Sequence, residues 1–295
     1  MYNVIIPEMR DVKRILGERE RSSHKGNFGY VGLVGGCARY SGAVKLASLS
    51  LCAMRSGAGV ARVMVPKSIV GAVSALTVVQ TVFPLPDKEG YIKYNKDAYR
   101  EAIGGLKAVA FGMGLGLGGD NLDYLKALLQ EPITLIIDAD GLNTLAQNLE
   151  LLSDKKASVL ITPHVKEFAR LSGLTVDEVL ANPIANAVDF ANRYGVVVLL
   201  KGADTVITDG NKVYVNVRGT VGMATAGSGD VLSGILVGLA GYIDNLLEIG
   251  IAGAYVNGLA GEIALANNNN NAISMIATDT AEAVKEAIST ILNKE

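Results

Sequence analysis

Short apolar runs return along this chain at intervals too long for hairpins: Tyr30–Val34, Val60–Val65, Val109–Phe111, Leu135–Ile137, Val159–Ile161 and Val196–Leu200. Each is apolar almost throughout rather than alternating, so a strand made from it must be covered on both faces. Parallel strands need crossovers of a dozen or more residues, usually helical, and the intervening segments carry helical spacing. The chain is therefore expected to fold as α/β, with a mostly parallel central sheet and helices on both faces.

The remaining elements follow from the same patterns. Helices are expected over Ser68–Ala75, Asn95–Ile103, Asn121–Leu129 and Val165–Leu171, and a further strand over Val78–Phe83. Tyr40-Ser41-Gly42-Ala43 opens a small-residue helix running to about Arg55. Val206–Thr208 and Val213–Val217, joined through Asp209-Gly210-Asn211, read as an antiparallel hairpin at the sheet edge. Three helices close the chain, Val231–Tyr242, Leu246–Ala266 and Thr280–Leu292, and Asn267–Asn271 is a solvated loop. Glu8–Arg21 carries Met9, Val12, Ile15 and Leu16 at helical spacing, so residues 1–25 form an arm or short helix packed on the outside. No internal repeat or linker appears, and residues 1–295 are read as a single domain.

Composition narrows the function classes. With 27 basic and 29 acidic residues, a net charge of −2 and no long run of either sign, the chain has no footprint for nucleic acid or a membrane surface. Cys37 and Cys52 are the only cysteines, which makes no disulfide framework, and the start lacks the pattern of a secretory leader, so a cytoplasmic setting is expected. The most apolar later region, Val231–Ala266, is interrupted by Asp244, Glu248 and Glu262, which argues against a membrane span.

The polar residues gather at one rim. Gly114, Asp138, Asp140, Thr162 and His164 all fall at or just past the carboxyl ends of expected strands, where open α/β sheets bind ligands. Gly112-Met113-Gly114-Leu115-Gly116 follows a strand but lacks the helix and acidic partner of a dinucleotide fingerprint. Asp138 and Asp140 would share a face if both lay on a strand and could then hold Mg²⁺ through water; Asp140 could equally cap the next helix. Glu167 can reach back across the first helical turn to support His164. Lys201 could lie against an adenine or a phosphate, or be a solvated edge lysine, and Lys25 poses the same choice between phosphate and solvent.

The stretch Gly219–Asp230 concentrates the chemistry. Ala226-Gly227-Ser228-Gly229 runs directly into a helix, whose first turn offers unpaired N–H donors and partial positive charge, a seat for phosphate. A carboxylate repels phosphate, so Asp230 there is either a helix cap or a general base for a hydroxyl that meets the phosphate.

Taken together, Ile137-Asp138-Ala139-Asp140-Gly141-Leu142-Asn143, Thr162-Pro163-His164 with Glu167, Lys201-Gly202-Ala203-Asp204-Thr205, and Met223-Ala224-Thr225 through Gly227-Ser228-Gly229-Asp230 resemble the ADP/ATP-dependent (S)-NAD(P)H-hydrate dehydratases of the ribokinase-like superfamily. The likeness runs from about Gly26 to the C-terminus, and Tyr40-Ser41-Gly42-Ala43 and Ala277-Thr278-Asp279 fit it too. Met113, where proline is common, and Val165-Lys166, where Pro-Gly is frequent, depart from the pattern. The resemblance implies that Ala43, Gly114, Gly116, His164 and Asp230 line the hydrated nicotinamide nucleotide. It implies that Lys201, Gly202, Ala203, Asp204 and Thr205, with Ala226, Gly227, Ser228 and Gly229, hold ADP or ATP, with Mg²⁺ on the phosphates. Asp230 would be catalytic. A homo-oligomer is expected, and an epimerase acting on the same substrate would belong to another chain. A small-molecule kinase acting on a vitamin-precursor alcohol needs the same glycine loop and Asp230; the His164 loop speaks for the dehydratase.

Overall fold

The computed structural model describes residues 2–48, 52–75, 77–267 and 270–293. Twelve strands are found there: β1 Val4–Ile5, β2 Tyr30–Val34, β3 Val60–Pro66, β4 Thr81–Leu85, β5 Asp87–Lys88, β6 Tyr91–Ile92, β7 Ala108–Phe111, β8 Thr134–Ile137, β9 Ser158–Ile161, β10 Val197–Leu200, β11 Thr205–Thr208 and β12 Val213–Asn216. All but the small β5–β6 ribbon belong to one sheet, in the order β1-β12-β11-β10-β9-β8-β7-β2-β3-β4. Pairing is parallel throughout except at β10–β11 and β11–β12, so β11 alone runs against the rest.

The continuous apolar strands split cleanly between two cores. Leu33, Ala110, Ile136, Leu160 and Leu199 point into one, while Val109, Phe111, Ile137, Ile161 and Leu200 point into the other. The first core is roofed by α1 Met9–Leu16, α2 Ser41–Ser48, α3 Cys52–Arg55, α4 Val70–Ser74 and, late in the chain, by three longer helices. The second is roofed by α5 Lys96–Ile103, α6 Asn121–Leu129, α7 Ala139–Ala146, α8 Val165–Ser172, α9 Val176–Ala181 and α10 Pro183–Tyr194. The three longer helices are α11 Ser228–Leu239, α12 Leu246–Ala266 and α13 Ala277–Asn293. Each fully buried aliphatic or aromatic side chain contributes roughly 1.5–3 kcal/mol relative to exposure, so the doubly covered sheet carries most of the stability.

Chain order creates the site. From β2 the chain builds outward through β3 and β4, then returns to β7 on the other flank of β2 and builds through β8, β9 and β10. The order therefore reverses between β2 and β7, the switch point where a crevice opens at the carboxyl ends. There Gly36 N–H donates to Met113 O at 2.7 Å, joining the loops after both strands. Gly112 (φ +132°) lets the end of β7 approach β8: a Cβ on it would stand 1.8 Å from Asp138 O. No other residue type fits.

Several expectations shift. The strand expected over Val78–Phe83 lies at Thr81–Leu85. It is an edge strand, which tolerates Pro84, and Val78 and Val79 are exposed ahead of it. The N-terminal helix stops at Leu16 because Gly17 follows with φ +63°, and it packs through one face, with Val12 fully buried. The hairpin does form, but β1 pairs with β12 and takes the edge. The helix expected from Tyr40 to Arg55 is seen as α2 and α3, residues 49–51 lying outside the described residues, as do residues 268 and 269 of the asparagine loop. Helices α9 and α10 were not anticipated; the capping box Thr175/Glu178 and Pro183 at a first helical position were their signals.

The apolar helix α12 is long and apolar enough to cross a membrane by length and composition, its glutamates notwithstanding. Yet 72% of that window is buried inside the protein, where it packs on α11, α13 and the sheet. Its composition is that of a core helix.

Candidate active site

The anion loop is built by one backbone device. Gly227 takes φ +95°, turning the chain so that α11 starts at Ser228. Ser228 Oγ donates to Met223 O at 2.7 Å and pins the preceding turn. The N–H groups of Gly229 and Asp230 have no acceptor among the described residues, as expected at a helix start, and they are free to bind an anion. Asp230 is the third residue of the helix and does not cap it; Gly227 holds the cap position.

Beneath that loop lies a buried polar knot centred on Asp138, which is 2% exposed. Its Oδ1 accepts from Thr162 Oγ1 at 2.9 Å and from Lys201 Nζ at 2.9 Å, and its Oδ2 accepts from Ser233 Oγ at 2.8 Å. Three strand ends and one helix thus meet at a single carboxylate. Lys201 is half-buried and held in an ion pair, not a solvated edge lysine. Burial alone would lower its pKa, but Asp138, Glu167 and Asp230 hold its ammonium above the ordinary value.

Asp138 and Asp140 do not share a strand face. Ala139 takes φ +47° and starts α7, so the two carboxylates diverge. Asp140 neither caps nor pairs with Asp138; it accepts from Gly116 N–H at 2.8 Å and from Asn143 Nδ2 at 3.3 Å, fixing the glycine loop. Both Asp138 oxygens accept hydrogen bonds and Asp140 turns to the glycine loop, so the two carboxylates do not form one shared cation site; no group of three or more His, Cys, Asp or Glu side chains suited to a metal is found among the described residues.

Asp230 is half-buried and has no hydrogen-bond partner among the described residues. Burial first, then the nearby Asp138 and Asp140, push its pKa up to about 7, against the pull of Lys201. Such a carboxyl is poised to take or give a proton near neutrality.

His164 lies at the end of β9, its backbone bridged to Lys201 across the ends of β9 and β10. It caps α8: Nδ1 accepts from Lys166 N–H at 3.1 Å and Glu167 N–H at 3.3 Å, while Glu167 Oε2 accepts from His164 N–H at 2.9 Å. This is the support expected from Glu167. An accepting Nδ1 places the hydrogen of the neutral ring on Nε2, which stands 3.6 Å from Glu167 Oε2, too far for a good hydrogen bond. Burial, aided by Lys201 and Arg170, holds the imidazole pKa below its ordinary value. His164 is therefore a neutral donor facing outward.

The other residues expected around a substrate partly converge. Ala43 and Gly114 are in contact, a Cβ on Gly114 falling 2.8 Å from that of Ala43, whereas Gly116 faces Tyr91 and Cys37. A cavity of about 550 Å³ opens beside the anion loop and includes Lys201, Gly202, Ala203, Thr205, Ser228 and Gly229 in its walls. Asp204, Ala226 and Gly227 are not among its lining residues; Gly227 packs toward Leu46 and Ala277. Lys25 stands before β2, at the amino end of the sheet and away from the rim. The far wall, Asn216, Arg218 and Asn257, was not foreseen, and it holds buried unpartnered atoms: Asn216 Oδ1, Asn257 Oδ1 and Arg218 Nε.

This architecture is that of the ribokinase-like superfamily: a ribokinase-like protein of Enterococcus faecalis superposes with a TM-score of 0.81 at 25% identity, covering 99% of this chain and 97% of its own. Within that class the chain belongs to the NAD(P)H-hydrate dehydratase family, whose profile matches residues 31–286. It is 35% identical over 262 residues to the ADP-dependent (S)-NAD(P)H-hydrate dehydratase of Cenarchaeum symbiosum, covering 86% of this chain and 87% of that one. It is 37% identical over 266 residues to the bifunctional NAD(P)H-hydrate repair enzyme of Moorella thermoacetica, of which it spans about half.

Proposed function

We propose that this chain performs the ADP-dependent dehydration of (S)-NAD(P)H hydrate back to NAD(P)H. The observation that carries the reading is that an unpaired carboxyl with a pKa near neutrality, Asp230, and free N–H donors share one helix turn above a half-buried ammonium. Family membership and the relatives' activity give the substrates and favour this reading over a kinase for a vitamin-precursor alcohol.

Hydroxide is a poor leaving group, so loss of water from a hydrated dihydropyridine ring is slow. Phosphorylating the hydroxyl supplies a better one. Asp230 accepts the hydroxyl proton as that oxygen attacks the terminal phosphoryl group of the nucleotide. The N–H groups of Gly229 and Asp230 hold the charge on the transferring oxygens, with Lys201 close behind, so catalysis rests on positioning and electrostatics. The ring nitrogen lone pair then expels phosphate, and loss of a ring proton restores the dihydronicotinamide. The cavity walled by Lys201, Gly202, Ala203 and Thr205 takes the adenine nucleotide, and His164 with Ala43 and Gly114 takes the hydrate. A Mg²⁺ accompanying the nucleotide would be held chiefly by its phosphates.

The test follows dihydronicotinamide absorbance after prepared hydrate is mixed with the protein. Recovery is expected with ADP or ATP and not without it; no nucleotide-dependent recovery would overturn the reading.

A further inference from the structure

Asp230 and Ser233 are one helical turn apart and share a face of α11. The Ser233 hydroxyl is committed to Asp138, and Asp138 is committed to Lys201. A carbon built on Gly229, the residue just before Asp230, would lie 3.3 Å from Lys201 Nζ and 3.5 Å from Asp138 Oδ2. The ammonium is thus at the same turn as Asp230, yet Asp138 holds it at 2.9 Å and Asp230 has no bonded partner among the described residues.

We propose that Asp138 is a positioning residue: by holding the Lys201 ammonium it denies that cation to Asp230 and leaves the Asp230 carboxylate unpaired as a base. The proposal rests on the reading of Asp230 as the general base. A carboxylate paired with a buried ammonium is a weaker base, its pKa falling by roughly 1–3 units. The charged groups facing Asp230 are Asp138 from the end of β8, Asp140 from α7 and Lys201 from the end of β10. Those acting on Lys201 are Asp138, Glu167 from α8 and Asp230. Without the Asp138 charge, Glu167 and Asp230 remain to the ammonium; Glu167 acts on it more strongly in the wild type, but its Oε2 accepts from the His164 N–H and fixes it to the cap of α8, whereas Asp230 has no bonded partner among the described residues. Asp230 then captures the lysine. Ser233 and Thr162 complete the device by fixing the Asp138 carboxylate with two neutral donors.

The test is the pH profile of kcat/KM for the hydrate at saturating ADP. In Asp138→Asn the acidic limb should move down by about one pH unit or more while the plateau falls about tenfold or more. Adding Lys201→Met to Asp138→Asn should move the limb back toward wild type, since no cation is left to pair with Asp230. Lys201→Met alone removes an attracting charge and should move the limb up. Ser233→Ala keeps the ion pair and should leave the limb in place while lowering the melting temperature. If Asp138→Asn loses activity with an unmoved limb, or the double variant keeps the lowered limb, Asp138 is structural and the proposal fails. Should Asp138→Asn not fold, Lys201→Met decides: a limb unmoved or lowered there overturns the proposal. A wild type that is inactive on hydrate, or an Asp230→Asn variant with normal turnover, sinks the base reading and this proposal together; an active wild type with an inactive Asp230→Asn variant isolates the failure to Asp138.

Discussion

Gly229 rests against the ammonium of Lys201, and a carbon added there would stand 3.3 Å from Nζ. Glycine is needed here for closeness to an ion pair and not for backbone freedom, because the left-handed conformation belongs to Gly227 (φ +95°) two residues earlier. Gly229→Ala asks the flexible lysine to give a few tenths of an ångström, whereas the branches of Gly229→Val force it away and fill the space above the N–H donors. Calorimetry with ADP should find the valine variant weakened by about a hundredfold or more, roughly 2.7 kcal/mol, and the alanine variant much less. A folded valine variant with wild-type ADP affinity would contradict this.

Asp230→Asn keeps the shape of the side chain and removes the base. Turnover should fall by about two to four orders of magnitude, the usual span for a positioned general base, with ADP affinity nearly unchanged. Loss of ADP binding with normal residual turnover would assign Asp230 a structural role.

The raised Asp230 pKa has two opposite consequences for pH. The base acts deprotonated, so kcat/KM should rise with pH through a midpoint near about 7. Stability runs the other way: between the unfolded value of 3.8 and the folded value of about 7 the native state binds the extra proton, so this group's contribution is lost as pH rises through that window. Asp230→Asn should therefore melt higher than wild type at pH above about 7 and lose that advantage near pH 4. Equal melting temperatures throughout would show that the carboxyl is not desolvated.

His164 combines two tasks that a pair of variants separates. Alanine removes both the cap on α8 and the Nε2 donor; asparagine keeps a capping acceptor. His164→Ala should lose about 1 kcal/mol of stability, and His164→Asn much less. Both should raise the Michaelis constant for the hydrate while ADP affinity stays within about threefold, or roughly 0.6 kcal/mol. An unchanged Michaelis constant in both would leave His164 as a cap alone.

Much of this was legible in the sequence because it depends on local rules. Apolar runs such as Val109–Phe111 and Leu135–Ile137 read as doubly covered strands, and a strand's carboxyl end is known once the strand is, so the rim holding Asp138, Thr162 and His164 could be drawn in advance. The glycine loop before Asp230 announced a helix N-terminus by the same logic. What could be misplaced was what depends on a neighbour: Thr81–Leu85 took its register from β3, and β1 found its place only by pairing with β12.

The sequence by itself determined the parallel core strands, the long helices between and after them and the rim at the strand ends, since periodicity and chain direction are properties of the chain. It could not say what each polar group would bind. Asp138 and Asp140 stand two apart, which left a shared strand face and a helix cap both open, and the positive φ at Ala139 parts them, sending one to Lys201 and Ser233 and the other to Gly116. Ser233 is 95 residues from Asp138 and Lys201 is 63, and no pattern in either segment points to the other. Only the packed fold decided those contacts, because a buried charge must find its partners in space wherever they lie along the chain.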